Sequence, residues 1–293
     1  MNSVDRFKRR RKLRLLQRGV RLDEWNENDH PRDENGRFAS GGGSSGGTFS
    51  ADAFSNDRKS GAKRYSVLEV MSPEFEEKHF KDDLSNGEKR AVESYTSDEY
   101  RVINNALRGE NATSVRHGQV IDDLTNAIDR HELDEDTYLK RGVSGLSAFG
   151  LQNESSNFIF KCQNRELTQK DVDSLADKLV GEVLTDDAFM STDTAPDLLP
   201  VGDASVVMNI YAPKGTKAMF VAPLSEVPGE RETIVQRGTS YRITGVHLNE
   251  NKKSSLTNGY SGIVIDAEIV GQNPKAGKKD SRGMTTYNGK RRK

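Results

Sequence analysis

The chain has 293 residues, 30% of them charged and 33% hydrophobic, with a formal net charge of −1 at pH 7. This near-neutral balance gives no overall attraction to nucleic acid or to a membrane surface, and the polar composition indicates that part of the chain joins no hydrophobic core. The single cysteine, Cys162, excludes an internal disulfide and a cysteine-built zinc site, and no apolar run approaches the roughly 18 residues of a transmembrane helix or follows the basic N-terminus as a signal peptide requires.

Residues 1–63 are predicted to form a disordered, basic and Gly/Ser-rich tail. Nine lysines and arginines occupy the first 21 positions, and the Gly/Ser-rich segment that follows buries too little apolar surface to offset the entropy of ordering its backbone. Within that segment Gly41, Gly43 and Gly46 match the dinucleotide-binding pattern G-x-G-x-x-G. Since no strand precedes them and no βαβ unit surrounds them, we assign them no nucleotide.

A folded domain is predicted at 64–272, and the basic C-terminal end, 273–293, is predicted to be disordered. Residues 84–109 have apolar side chains at helical spacing and predict two helices. The first of them ends near Tyr95, and Ser97 is the predicted N-cap of the second.

The rest of the domain places helices before strands. Helices are predicted at 118–131 and at 168–184, the latter capped by Thr168, with a short strand at 136–144 between them. Strand-like segments then follow at 187–193, 204–212, 217–222, 232–236, 240–248 and 262–270. Because helices come first and strands later, the predicted fold class is α+β rather than a doubly wound sheet.

Three segments that lie apart in the sequence each place polar groups on a predicted strand. Arg141 lies in LKRGVS, Ser191 and Thr192 lie in FMSTD, and Glu230 and Glu232 lie in GERETIV. The two glutamates share one strand face because successive strand side chains point to opposite faces. Taken singly, these features are typical of a surface charge, a turn and a solvated strand face, so the functional argument depends on their combination.

In this order and at this spacing, the three signatures resemble the arginine-serine-glutamate class of mono-ADP-ribosyltransferases. The segment EKRAVESYTSDEYRVINNALRG resembles that family's first helices, and GERETIVQRGTSYRITGV resembles its catalytic strand and the strand after it. The resemblance covers residues 64–272. It implies N-terminal helices followed by a mostly antiparallel β-core of two packed sheets, with NAD as the substrate.

The resemblance also implies a role for each signature. Glu232 would stabilise the positive charge that develops on the ribose as the nicotinamide bond breaks. Glu230 would orient and deprotonate the acceptor guanidinium, which is otherwise protonated and a poor nucleophile. Arg141 would bind the pyrophosphate, and Ser191 would hold the Glu232 carboxylate. The implied catalytic residues are Arg141, Ser191, Glu230 and Glu232, and the implied NAD-binding residues are Arg141, Gly142, Ser191, Thr192 and Glu232.

Several positions near the signatures depart from the family's pattern. Asp193 stands where the family often has serine, and it receives no role. Leu198 or Leu199 replaces an aromatic residue that commonly packs on nicotinamide, and Val227 replaces one that often contacts the protein target.

Arg231 is expected to point to the other strand face and to be dispensable for chemistry. The five histidines have no ligand spacing, so no metal is predicted.

A second resemblance concerns the tail, where DEWNENDHPRDENGRFASGGGSSGG resembles a segment of tailed-phage head proteins. It implies a phage or prophage origin, action in the host cytoplasm or packaging in the virion, and contact of the basic tails with the phage head or genome. The predicted reaction is transfer of ADP-ribose from NAD to arginine of a host protein, with no membrane as partner. Two alternatives stay open, namely a virion component without enzymatic activity and transfer to a nucleic acid.

Overall fold

The computed structural model describes residues 61–110, 113–195, 205–225, 231–249, 262–274, 278–279 and 285–286. The predictions for residues 1–60 of the N-terminal tail, and those for Leu198, Leu199, Val227 and Glu230, lie outside the described residues.

Polar caps begin most of the described helices. Ser66, Ser72, Ser85, Ser114 and Thr168 each accept a backbone N–H from the first turn of their own helix, which satisfies a donor that the helix leaves unpaired. The helices are α1 (Val67–Val70), α2 (Pro73–His79), α3 (Asn86–Tyr95), α4 (Tyr100–Leu107), α5 (Val115–Asp129), α6 (Gln152–Gln163) and α7 (Gln169–Leu179), with a 3₁₀ turn at Leu146–Phe149. None of these described helices combines the length and the apolar character that a bilayer crossing requires.

Ser97 is not the N-cap of α4, contrary to the prediction. Its hydroxyl donates to the carbonyl of Ser94 at 2.6 Å and accepts the N–H of Glu99 at 3.2 Å. These bonds close a turn between α3 and α4, so α4 begins at Tyr100 with Glu99 as its N-cap residue. The prediction that the first helix ends near Tyr95 is confirmed.

α7 is shorter than the helix predicted over 168–184. It ends at Leu179, and Gly181 follows with φ +91°, a left-handed conformation that is typical of the residue just beyond a helix. The chain then leaves the helix axis and forms a strand at Val183–Asp186, which the sequence did not predict. α6 was not predicted either, since Leu151 precedes it without a side-chain cap.

The described strands are β1 (Thr137–Val143), β2 (Val183–Asp186), β3 (Met190–Asp193), β4 (Val206–Ala212), β5 (Ala218–Phe220), β6 (Glu232–Val235), β7 (Thr239–Asn249), β8 (Gly262–Gln272), β9 (Lys278–Lys279) and β10 (Thr285–Thr286). The first eight form one hydrogen-bonded sheet in the order β2-β7-β8-β4-β1-β3-β6-β5, and β9 pairs with β10. All neighbours are antiparallel except β4 and β8. The predicted α+β class with a mostly antiparallel β-core is therefore confirmed.

The large sheet is joined near its middle by a single residue pair. β1 and β3 meet only at Lys140 and Asp193, whereas β1 pairs with β4 along its whole length. The sheet thus has a five-strand part, β2 to β1 in the sheet order, and a three-strand part, β3 to β5. The resemblance implied two packed sheets, and the structure instead has one hydrogen-bonded sheet in two parts. Both parts line one hydrophobic core, whose members include Leu139, Met208, Met190 and Val235.

A second hydrophobic core lies between the helices and the three-strand part. Ile121, Leu124 and Ile128 share the buried face of α5, as their spacing predicts, and they pack in one cluster with Phe189 and Ile234. The helices α3, α4 and α5 are thereby fixed against the strands that carry the serine and glutamate signatures.

The cysteine of the chain is fully buried. Cys162 lies in α6 and belongs to the first core. Burial raises the pKa of its thiol to about 11, and a hydrogen bond with Ser205 opposes part of that rise. The thiolate, which is the reactive form, is therefore scarce at neutral pH.

The pair of His247 and Asp266 makes the stability of the domain depend on pH. His247 Nε2 lies 3.0 Å from Asp266 Oδ2, and Gly245 leaves room for them, since a Cβ at that position would lie 2.7 Å from His247 Nε2. The hydrogen bond to Asp266 raises the pKa of His247, although burial opposes the rise. Protonation of His247 is therefore favoured in the folded state. The resulting stabilisation is complete when the pH is below the histidine's pKa in the unfolded chain, about 6.5, and it is lost as the pH rises through the higher pKa of the folded state.

We therefore expect His247→Gln to lower the free energy of unfolding at about pH 6 and to leave it nearly unchanged at about pH 9. The loss should stay below about 1 kcal/mol because the imidazole is partly exposed. Urea unfolding of both proteins at the two pH values measures it. A wild-type minus variant difference that is the same at both values would contradict the prediction.

Candidate active site

Arg141 lies in β1 with its guanidinium mostly buried. Its side chain is 17% exposed, and Nη2 lies 3.5 Å from Oδ2 of Asp186 in β2. Nη1 is buried and makes no hydrogen bond within the described residues. A buried N–H donor without an acceptor is costly, so this atom is suited to an anionic oxygen of a ligand. Gly142 follows Arg141 in β1 and is exposed.

A second arginine, which the sequence signatures did not include, joins the same carboxylate. Arg108 follows α4, and its Nε and Nη2 donate to Oδ1 and Oδ2 of Asp186 at 3.2 and 3.0 Å. Asp186 Oδ1 also accepts the N–H of Ala188 at 3.0 Å. Two guanidinium groups thus share one carboxylate and leave a net positive charge, which favours a diphosphate. The only sequence signal for Arg108 was its place in the helix segment that resembles the family.

Tyr95 connects the helices to both sides of the site. Its buried hydroxyl donates to the carbonyl of Phe189 at 3.1 Å and accepts the Asn104 amide N–H at 3.1 Å. Burial raises the pKa of Tyr95, the negative charge of Glu232 raises it further, and Arg141 opposes the rise. Glu232 and Arg141 therefore lie within electrostatic range of one hydroxyl, although they are far apart in the sequence. The fold brings the first and last signatures together.

The serine and glutamate signatures lie on adjacent strands. Glu232 begins β6, is 4% exposed, and has Asp193 of β3 as its Cα partner. Ser191 lies two residues before Asp193, on the same side of β3, and is exposed. Thr192 points to the opposite side, where its buried hydroxyl donates to the carbonyl of Thr233 at 2.6 Å. This bond ties β3 to β6.

The chemistry available at this site is that of carboxylates, guanidinium groups and hydroxyls. Within the described part of the chain, no group of three or more histidine, cysteine, aspartate or glutamate side chains is placed to hold a metal ion. A buried carboxylate, Glu232, and two arginines that share Asp186 suit a substrate with a diphosphate and a bond whose cleavage leaves positive charge on a sugar.

Comparisons with known proteins agree with this arrangement. The sequence model of the family described as ADP-ribosyltransferase exoenzyme matches residues 74–272. The epidermal cell differentiation inhibitor of Staphylococcus aureus is 25% identical over 181 residues, which are 59% of this chain and 72% of that protein. The C3 exoenzyme of Clostridium limosum superposes with a TM-score of 0.59 at 21% identity, covering 72% of this chain and 98% of that one. C3stau2 from S. aureus, solved with NAD, gives 0.57 at 21%, covering 72% and 99%.

The structural similarities establish the fold, and the family match extends over more than half of the sequence. That match includes all three signatures, from Arg141 through Ser191 to Glu232. The chain belongs to the ADP-ribosyltransferase exoenzyme family, and it is an NAD-dependent mono-ADP-ribosyltransferase.

Proposed function

We propose that the chain transfers ADP-ribose from NAD to arginine side chains of proteins and releases nicotinamide. The observation that carries the proposal is the pair Glu230 and Glu232, in which a second carboxylate precedes the buried one by two residues. Cleavage of NAD needs one carboxylate, whereas a guanidinium acceptor needs a base as well, because it is protonated near neutral pH. Two glutamates at this spacing supply both.

The proposed reaction divides the work among the signature residues. Arg141 and Arg108 hold the diphosphate, so the nicotinamide end of NAD lies toward Glu232. The bond between the nicotinamide nitrogen and ribose C1′ breaks, the electron pair leaves with nicotinamide, and Glu232 stabilises the positive charge on the ribose. A guanidinium nitrogen then forms the new bond to C1′, and its proton passes to Glu230.

The test uses purified protein, labelled NAD and a small guanidine such as agmatine as acceptor. Glu230→Gln is expected to lower adduct formation by about 10²-fold or more while NAD hydrolysis continues, because only the base for the acceptor is lost. The matched control is Glu226→Gln, which removes another carboxylate of the same stretch of sequence. Equal loss of transfer and hydrolysis in Glu230→Gln would sink the division of roles.

The class of acceptor is tested separately with labelled NAD and a host lysate. We expect label that is removed by protease and resists nuclease, and that mass spectrometry places on arginine. Label that resists protease and is removed by nuclease would favour a nucleic acid acceptor, and label on another amino acid would overturn arginine. Phage origin, virion contact and action in the host cytoplasm stay predictions that rest on the tail sequence.

A further inference from the structure

Asp193 forms an ion pair with Arg231 and is the strand partner of the buried Lys140, although its sequence position suggested no role. Its Oδ2 accepts from Arg231 Nη2 at 2.8 Å, and its Oδ1 accepts the Ala195 N–H at 2.7 Å. Lys140, which is 3% exposed, is its Cα partner on β1. Burial raises the pKa of the Asp193 carboxyl, and the charges of Arg231 and Lys140 oppose the rise.

The backbone of Arg231 is also fixed, by two hydrogen bonds with Thr194. It has φ +49°, a left-handed conformation that costs a non-glycine residue on the order of 1 kcal/mol. Its carbonyl accepts both the N–H of Thr194 at 3.3 Å and the Thr194 hydroxyl at 2.8 Å. With the ion pair to Asp193, these bonds fix the residue between the two glutamates of the last signature.

The three charged residues are placed one position away from the catalytic signatures or within them. Lys140 precedes Arg141, Asp193 ends the serine signature, and Arg231 precedes Glu232. Lys140 and Asp193 are also the single pair through which the two parts of the sheet are joined. Whatever fixes this joint also fixes the position of the arginine strand relative to the glutamate strand.

We infer that the ion pair of Asp193 with Arg231, located where β3 meets Lys140 of β1, is an ionic clamp that sets the position of the Glu232 carboxylate relative to the Arg141 guanidinium. Asp193 and Arg231 are positioning residues, because they act on NAD through Glu232 and Arg141. A buried ion pair adds little net stability, since desolvation offsets most of the attraction, so the clamp is expected to specify geometry more than stability. The sequence predicted that Arg231 is dispensable for chemistry, and the ion pair with Asp193 argues against that prediction.

The inference rests on NAD cleavage and is independent of the acceptor, so nicotinamide release without acceptor is the readout. Arg231→Gly removes the side chain but suits the left-handed backbone, whereas Arg231→Lys keeps the charge with the same backbone strain. We expect Arg231→Gly to lower kcat by about tenfold or more with the KM for NAD within about threefold, and Arg231→Lys to recover most of kcat. Asp193→Asn should lower kcat by at least as much as Arg231→Gly, because it removes the carboxylate that pairs with Arg231 and that lies beside the buried Lys140.

Arg130→Gln is the matched control, since it removes an arginine–carboxylate pair of the same 2.8 Å length, with Glu88, between α3 and α5. It should leave kcat and KM unchanged whatever its effect on the melting temperature. Two results would overturn the clamp: folded Arg231→Gly with kcat within about twofold of wild type, or Arg231→Lys no better than Arg231→Gly. A wild-type protein that hydrolyses NAD but modifies no arginine would refute the proposed acceptor and leave the clamp intact.

Discussion

Glu232→Gln is expected to lower kcat for NAD hydrolysis and for ADP-ribose transfer together, by about 10²–10³-fold, the usual effect of removing one preorganised group that stabilises transition-state charge. The substitution keeps the size of the side chain and removes its negative charge. Because the carboxylate is buried, its field on the ribose is weakly screened, and water cannot replace it. Nicotinamide release measured with and without acceptor tests the prediction.

The control for this experiment is Glu88→Gln, which neutralises another buried glutamate outside the site. Glu88 belongs to the cap of α3 and pairs with Arg130, and the pairing holds the pKa of its carboxyl at about 2. We expect the control to lose stability and to retain kcat at a temperature where it stays folded. Hydrolysis by folded Glu232→Gln within about tenfold of wild type would remove Glu232 from the centre of the reaction.

Arg141→Lys is expected to lower kcat/KM for NAD by about 10- to 100-fold, the equivalent of one lost hydrogen bond to a charged group. Lysine keeps the charge but lacks the planar fork, so it cannot face Asp186 with one nitrogen and present the buried Nη1 to an anion with the other. The effect should appear mainly in KM if the contact is equally strong in the ground state and the transition state.

Arg242→Lys is the matched control for Arg141→Lys, because Arg242 is an exposed arginine on β7, the strand that pairs with β2. Its kcat/KM for NAD should equal that of the wild type. If Arg141→Lys also left kcat/KM unchanged, Arg141 would not contact NAD, and Arg108 would remain as the arginine beside Asp186.

The sequence predicted those features whose signal is local. The buried face of α5, the Thr168 cap of α7 and the strands that carry Arg141 and Glu232 all follow from spacing and composition within one segment. α6 was missed because its amphipathic signal is weak, with Phe158 buried and Phe160 exposed two positions later, and because no side chain caps it. Where a helix lacks both signals, tertiary packing decides that it forms.

The charged contacts of the site could not be predicted because they join residues far apart in the chain. Arg108 lies at the end of α4, and Asp186 lies in β2, a strand that the sequence did not predict. Nothing local therefore indicated that the two residues pair. Asp193 alone looked like a departure from the family pattern, and Arg231 alone was predicted to be dispensable. Because β3 pairs with β6, the carboxylate of Asp193 meets the guanidinium of Arg231, a contact that neither position indicates by itself.

The buried state of Cys162 makes the chain suitable for single-site labelling. A thiol that is inaccessible and has a pKa near 11 does not react with maleimide probes in the folded protein at neutral pH. One cysteine introduced at an exposed position then becomes the sole reactive thiol. At Val102, which is 47% exposed, such a cysteine could be labelled in the folded protein without any prior removal of the native cysteine.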